Sequence, residues 1–140
     1  MNTYDMNDQS FVKSEEFQKF MADNPARGFL RIWAYAASWA IPVSGLQVVI
    51  STVINNNKFI FFEGATNESG IIDNISLPAP KLNTNNLDVP SKTIYNIDAT
   101  YEADNFKQSY QVNMYENVFV VQAINVNPSN TISLGEYNGS

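Results

Sequence analysis

Apolar and polar side chains alternate along most of the chain between Gly28 and Val126, in short runs that Gly, Pro and Asn residues separate. Such a period of two places successive side chains on opposite faces of a β-strand. The first run alternates Leu30, Ile32, Ala34 and Ala36 with Phe29, Arg31, Trp33 and Tyr35. We predict seven strands, at residues 28–38, 46–54, 58–64, 71–77, 93–103, 109–117 and 119–126.

Turn-forming residues stand between these runs. Pro42 and Gly45 force a turn after the first run, and residues 55–57 are three asparagines, which tolerate left-handed backbone. In the turn at residues 66–70 we expect a positive φ at Gly70. Pro78 and Pro80 are expected to stop sheet pairing, because proline cannot donate to a ladder.

The polar N-terminal segment contains one predicted helix, which begins after Ser14 and ends at residues 24–25, Asn-Pro. Ser14 is a suitable N-cap, and two glutamates follow it in the first turn. Phe17, Phe20 and Met21 form one apolar stripe. A helix this short needs a docking surface. Either its own sandwich or a second copy of the chain provides that surface.

The chain length of 140 residues suits one domain. We predict an N-terminal extension at residues 1–27, a β-domain at residues 28–128 and a polar tail at residues 129–140. Because no helical crossover separates the strands, an antiparallel sandwich or barrel is expected rather than an α/β fold.

Composition removes several classes of function. The sequence has no cysteine and no histidine, so disulfides, thiolate metal sites and histidine-based catalysis are not available. A net charge of −6 with scattered basic residues argues against nucleic-acid binding. No signal peptide or apolar run of membrane-spanning length is evident, so we expect a protein made and kept inside the cell, without a cofactor.

Aromatic and asparagine residues are the candidate binding groups. Trp39 lies in the first connection, where it either stacks on a sugar or a partner or folds over the end of the sandwich. Trp33 and Tyr35 share one face of the first strand; they form either an exposed patch or a surface beneath the N-terminal helix. The long polar connection at residues 81–92, with Asn85 and Asn86, is a further candidate.

Three acidic residues, Asp98, Glu102 and Asp104, lie close together in sequence near one strand end. Carboxylate oxygens in such a group could hold calcium. Spacing alone favours the simpler interpretation, which is a solvated acidic edge.

The order of several motifs resembles a known family. The motifs are Gly-Phe-Leu-Arg-Ile at residues 28–32, Ala-Ile-Pro-Val-Ser-Gly-Leu-Gln-Val-Val-Ile at 40–50, Thr-Asn-Glu-Ser-Gly at 66–70, Ile-Ser-Leu-Pro-Ala-Pro at 75–80, Tyr-Asn-Ile-Asp-Ala at 95–99, Asn-Met-Tyr-Glu-Asn-Val-Phe at 113–119 and Asn-Pro at 127–128. This series resembles the carboxypeptidase regulatory-like (transthyretin-like) domain, in particular the Firmicutes branch associated with spore-cortex-lytic proteins. The residues at 104–106 and Asn67 depart from the family pattern.

The resemblance implies an all-β, seven-stranded antiparallel β-sandwich, transthyretin/prealbumin-like with Greek-key connections, and an accessory role. It carries over no catalytic residue, because the related hydrolases and dioxygenases rely on histidine. We therefore expect a non-catalytic interaction module, plausibly spore- or cell-envelope-associated, that binds a protein partner or self-associates. The alternative is a module that binds carbohydrate or peptidoglycan through Trp39 and the connection at residues 81–92.

Overall fold

The computed structural model describes residues 1–38, 40–82 and 91–126. Trp39, Asn85, Asn86 and the predicted tail at residues 129–140 lie outside this part of the chain. The described residues form nine strands and three short helices, in the order β1 (Thr3–Tyr4), α1 (Gln9–Val12), α2 (Glu15–Asp23), β2 (Ala26–Ala36), β3 (Ile41–Pro42), β4 (Gln47–Ile54), β5 (Asn57–Ala65), β6 (Ile71–Ala79), β7 (Thr93–Tyr101), a 3₁₀ helix (Glu102–Asp104), β8 (Phe106–Met114) and β9 (Phe119–Asn125).

The strands form two sheets. The large sheet has the order β1-β5-β4-β7-β8, and the small sheet has β2 at its centre, between β6 and β9, with β3 against the end of β2. The predicted all-β sandwich is confirmed. Two features differ from the prediction: β1 and β3 are additional two-residue strands, and the pairs β2–β9 and β1–β5 are parallel.

The core lies between the two sheets and follows the alternation in the sequence. Leu30, Ile32 and Ala34 point inward from β2, and Val48 and Ile50 point inward from β4; all five are buried. Each large side chain removed from water in this way stabilises the fold by roughly 1.5–3 kcal/mol. Their neighbours along β2 must consequently point to the other side of the small sheet.

The N-terminal helices pack on the large sheet of their own chain. The Ser14 hydroxyl accepts a hydrogen bond from the Phe17 N–H at 3.2 Å, as expected for the N-cap of α2. Phe17 is 3% exposed, and its ring centroid lies 4.7 Å from that of Phe59 in β5. Phe11 of α1 and Ile54 of β4 complete this second cluster. The apolar stripe of α2 is thus covered without a second copy of the chain.

The strand boundaries differ from the sequence-based prediction by one to three residues, and two of these differences have a clear structural reason. β6 continues through Pro78 to Ala79, so the expectation that Pro78 stops pairing is wrong. Among the described residues β6 is an edge strand, paired with β2 alone, and an edge strand tolerates a proline. β8 begins at Phe106, three residues earlier than predicted, because Asn105, with a left-handed φ of 53°, ends the 3₁₀ helix and completes the turn.

Tyr95 joins the two sheets through a buried polar contact. Its ring belongs to β7 in the large sheet, and its hydroxyl donates to the Pro78 carbonyl of the small sheet at 2.6 Å. The residue is 0% exposed, and burial raises the pKa of its phenol well above the ordinary value. The phenol therefore stays protonated as a donor over the physiological range.

The turn at Gly70 generates a stability prediction. Its φ is +76°, as predicted from the sequence, and a Cβ added there would lie 2.3 Å from the Ala34 carbonyl oxygen. Gly70→Ala should cost about 1–3 kcal/mol for the conformation and a further amount, also of about 1–3 kcal/mol, for the clash. Gly45 is the matched control, because its φ is +86° and an added Cβ would meet nothing within 4 Å. Urea unfolding of Gly70→Ala and Gly45→Ala should show a larger loss for Gly70→Ala, and equal losses would contradict this account.

Tyr95 generates a second prediction, on stability at alkaline pH. Tyr95→Phe should lower the free energy of unfolding by about 1–3 kcal/mol at pH 8, because the buried Pro78 carbonyl loses its donor. The raised pKa of Tyr95 means that its contribution is fully present below about pH 10, the ordinary tyrosine pKa, and is lost as pH rises. Wild type should therefore lose more stability than Tyr95→Phe between pH 8 and 10.5 in urea titrations. Tyr4→Phe, which changes an exposed hydroxyl, should behave like wild type.

Candidate interaction face

Several large apolar side chains of β2 and β9 lie on the face of the small sheet that points away from the core. Because Leu30 and Ile32 point inward, their neighbours on β2 point outward. We define the outer face by Phe29, Arg31, Trp33 and Tyr35 of β2, Phe119 and Val121 of β9, and Asp73 of β6.

The parallel register of β2 and β9 brings two runs of the outer face together. Phe29 lies opposite Phe119, and Arg31 lies opposite Val121. Phe29 is 37% exposed, Phe119 is 55% exposed and Val121 is 50% exposed. Single exposed apolar residues are ordinary, but adjacent ones on neighbouring strands form a patch of the kind that marks interaction sites.

Arg31 lies at the centre of this patch in a fixed orientation. Its Nε donates to Asp73 Oδ1 at 3.2 Å, and its Nη2 donates to Asp73 Oδ2 at 2.7 Å. The guanidinium carbon also lies 5.7 Å from the centroid of the Phe119 ring, a cation–π distance. The hydrogen bonds from Arg31, together with the Asn74 N–H, hold the pKa of Asp73 below its ordinary value. The charge of Arg31 is thus matched by Asp73, and its guanidinium lies over the Phe119 ring.

The β9 edge lies next to the outer face. Within the described ranges, β9 pairs with β2 and with no other strand. Its seven residues include no charge and no proline, which are two of the devices that protect an edge strand from pairing. One carbonyl along β9, that of Ala123, accepts a hydrogen bond from the Gln122 side chain at 3.0 Å. Among the described residues, exposed apolar side chains and a strand edge thus lie next to each other on the small sheet.

Two of the candidate residues from the sequence, Trp33 and Tyr35, lie on the outer face, with ring centroids 5.6 Å apart. The alternative that the N-terminal helix covers them is wrong, because α2 packs on Phe59 and Ile54 of the other sheet. Trp39, Asn85 and Asn86 lie outside the described residues, so their proposed roles stay predictions.

Sequence reasoning missed Phe119 and Val121 as members of the same patch. The alternation along the last strand separates them correctly from the inward-facing Ile124, but it does not reveal that β9 lies beside β2. One feature of the sequence could have indicated their role: the last predicted strand is uncharged and has large apolar residues on both faces. Such a strand is expected to be buried or in contact on both sides.

The acidic residues considered for calcium are not brought together. Asp98 lies within β7, where it accepts from the Ser109 hydroxyl at 2.6 Å and lies 3.5 Å from Lys58 Nζ. Glu102 and Asp104 lie in the 3₁₀ helix after that strand. In the part of the chain that is described, no three acidic side chains converge as a metal site requires.

Comparisons with known proteins give little information about this chain. No protein-family model matches the chain, and no curated protein matches it. Solved structures do match, among them 5-hydroxyisourate hydrolase of Klebsiella pneumoniae, with a TM-score of 0.46 and 18% identity over 69% of this chain and 90% of that one. A similarity this weak says nothing about shared activity. No helix in the described part of the chain combines the length and apolarity that a membrane crossing needs.

The Arg31–Asp73 pair can be tested by titration. The carboxyl of Asp73 should titrate below the ordinary value of about 3.9, and Arg31→Gln should return its pKa toward that value. Because the folded-state pKa is lowered, the pair contributes stability above about pH 3.9, and this contribution is lost as pH falls. Side-chain carboxyl NMR across pH 2–6 measures the pKa of Asp73 in the wild type and in Arg31→Gln. Lys19→Gln, which removes a different ion pair, should leave Asp73 unchanged, and an Asp73 that titrates identically in Arg31→Gln would contradict the assignment.

Proposed function

We propose that this protein is a non-catalytic β-sandwich interaction module whose outer face and β9 edge bind another protein surface. One observation carries the proposal. Phe29, Phe119 and Val121 are exposed side by side around an Arg31 whose charge is already matched by Asp73. Aromatic residues and arginine are the types most enriched at the energetic centres of interfaces. Binding there would remove apolar area from water without leaving an unpaired charge.

A second copy of the chain is the partner that the chemistry of β9 favours first. A twofold contact places the same residues on both sides, so any charge on the edge would face its own copy. The run from Phe119 to Asn125 has no charge, and antiparallel pairing of two such edges would bring one Val121 near the other. Self-association is consistent with this composition; a different protein with an uncharged edge strand is the alternative.

The composition supports a binding role rather than a catalytic one. Histidine and cysteine, the side chains that most often serve as base or nucleophile at neutral pH, do not occur in the sequence. The charged groups of the outer face, Arg31 and Asp73, neutralise each other through two hydrogen bonds. Such a pair orients and supports a contact surface.

Two further hypotheses stay open as predictions. The prediction of carbohydrate or peptidoglycan binding rests on Trp39, Asn85 and Asn86, which lie outside the described residues. The described residues give it no further support. Association with the spore or the cell envelope is implied only by the motif resemblance. Each would need direct evidence, such as calorimetry against cell-wall fragments or the location of a tagged chain in cells.

Analytical ultracentrifugation over roughly 1–200 µM tests the proposal. Val121→Asp should weaken self-association at least about tenfold, because it places a charge on the contact and each factor of ten corresponds to about 1.4 kcal/mol. Val53→Asp is the matched control: Val53 is 48% exposed, against 50% for Val121, but lies on the large sheet. Thermal melts verify that both variants are folded.

Equal weakening by the two substitutions would contradict an interface on the outer face. A wild type that stays monomeric throughout would exclude the self-associating form. The heterologous form would then be tested by affinity capture, with Val121→Asp expected to lose partners that Val53→Asp retains.

A further inference from the structure

The outer side of the large sheet carries a second feature, which the proposed function does not use. A trough of about 420 Å³ crosses β5, β4, β7 and β8 on the face that points away from the core. Its volume is within the range of about 300–1,000 Å³ that is typical of small-molecule sites. Val49 and Ile60 supply apolar surface, and Lys58, Asp98, Lys107 and Ser109 supply polar groups.

The polar groups of the trough are placed by strand register. Asp98 pairs with Ser109 across β7 and β8, and Thr100 pairs with Lys107 two residues further along. Side chains two apart on a strand share a face, so all four line the same side of the sheet. Residues distant in sequence therefore meet in one trough.

The charges in the trough do not balance. Asp98 accepts from the Ser109 hydroxyl at 2.6 Å, and its second oxygen lies 3.5 Å from Lys58 Nζ. Lys58 thus matches Asp98, the one carboxylate among the described residues of the lining. Lys107 has no ion-pair partner among the described residues. A positive charge is left over beside apolar surface, in a protein whose net charge is −6.

We propose that this trough binds a small organic anion with a ring-sized apolar body and a single acid group. The apolar body would lie on Val49 and Ile60, and the acid group would be held by the Lys107 ammonium and the Thr100 hydroxyl opposite it. Charge complementarity favours this class of ligand, because an uncompensated cation at one end of an apolar surface selects an anion over a neutral ligand. This site is independent of the outer face of the small sheet.

The probe for the test is 1-anilinonaphthalene-8-sulfonate, compared with N-phenyl-1-naphthylamine, which has the same apolar body without the sulfonate. Binding to wild type is followed by fluorescence and by amide shifts in ¹H–¹⁵N NMR. We expect saturable binding of the sulfonate with a Kd below 1 mM, at least about fivefold tighter than the neutral probe. Amide shifts should centre on Val49, Ile60 and Ser109.

Three variants locate the site. Lys107→Gln should weaken sulfonate binding at least about fivefold, and Lys107→Arg should restore most of it. Lys19→Gln, at an exposed lysine of α2, and Val121→Asp, on the outer face, should leave binding unchanged. The proposal would be overturned by equal affinity for the two probes, by no saturable binding, by shifts centred on Phe119 and Val121, or by a Lys107→Gln variant that binds like wild type.

Discussion

The burial of one face of β2 is the constraint on which the rest of the structure depends. Leu30, Ile32 and Ala34 are enclosed between the two sheets, and a strand cannot bury these residues without turning their neighbours to the other side. Phe29 and Arg31 therefore lie on the outer face. The pairing of β9 alongside β2 then adds Phe119 and Val121 to that face. The same alternation that builds the core thus also builds the candidate interaction face.

The two sheets differ in width, and this difference explains the N-terminal segment. In the described ranges the large sheet has five strands, whereas β2 in the small sheet is flanked by two long strands, β6 and β9. Phe59 and Ile54 pack on Phe11 and Phe17 of the helices instead of joining the main core. The helices α1 and α2 therefore cover the apolar side chains of the large sheet that the small sheet does not reach. This role also explains why so short a helix is stable, since packing rather than propensity holds it.

The outer surfaces of the two sheets have different chemistry. On the small sheet, Arg31 and Asp73 neutralise each other within a largely apolar face. On the large sheet, Lys58 satisfies Asp98 and leaves Lys107 without an ion-pair partner among the described residues. The first arrangement suits contact with a protein surface, because covering the Arg31–Asp73 pair would leave neither charge without its partner. The second leaves a cation beside apolar surface, which is the basis for the inferred anion site, and the two faces lie on opposite sides of the sandwich.

The sequence by itself determined what local geometry controls: the existence and faces of the seven long strands, the N-cap at Ser14 and the left-handed turn at Gly70. Each depends on residues within a few positions of one another, where period and backbone sterics act directly. Only the tertiary structure decided the parallel pairing of β2 with β9, the docking of α2 on Phe59, the retention of Pro78 in an edge strand, and the 42-residue separation bridged by Arg31 and Asp73. These contacts depend on which sheet edge each strand occupies. Alternation assigns a side chain to a face and leaves the neighbouring strand unspecified. It therefore indicated Trp33 and Tyr35 as a candidate patch, whereas the contribution of β9 to that patch and the trough on the large sheet depend on which strands lie side by side.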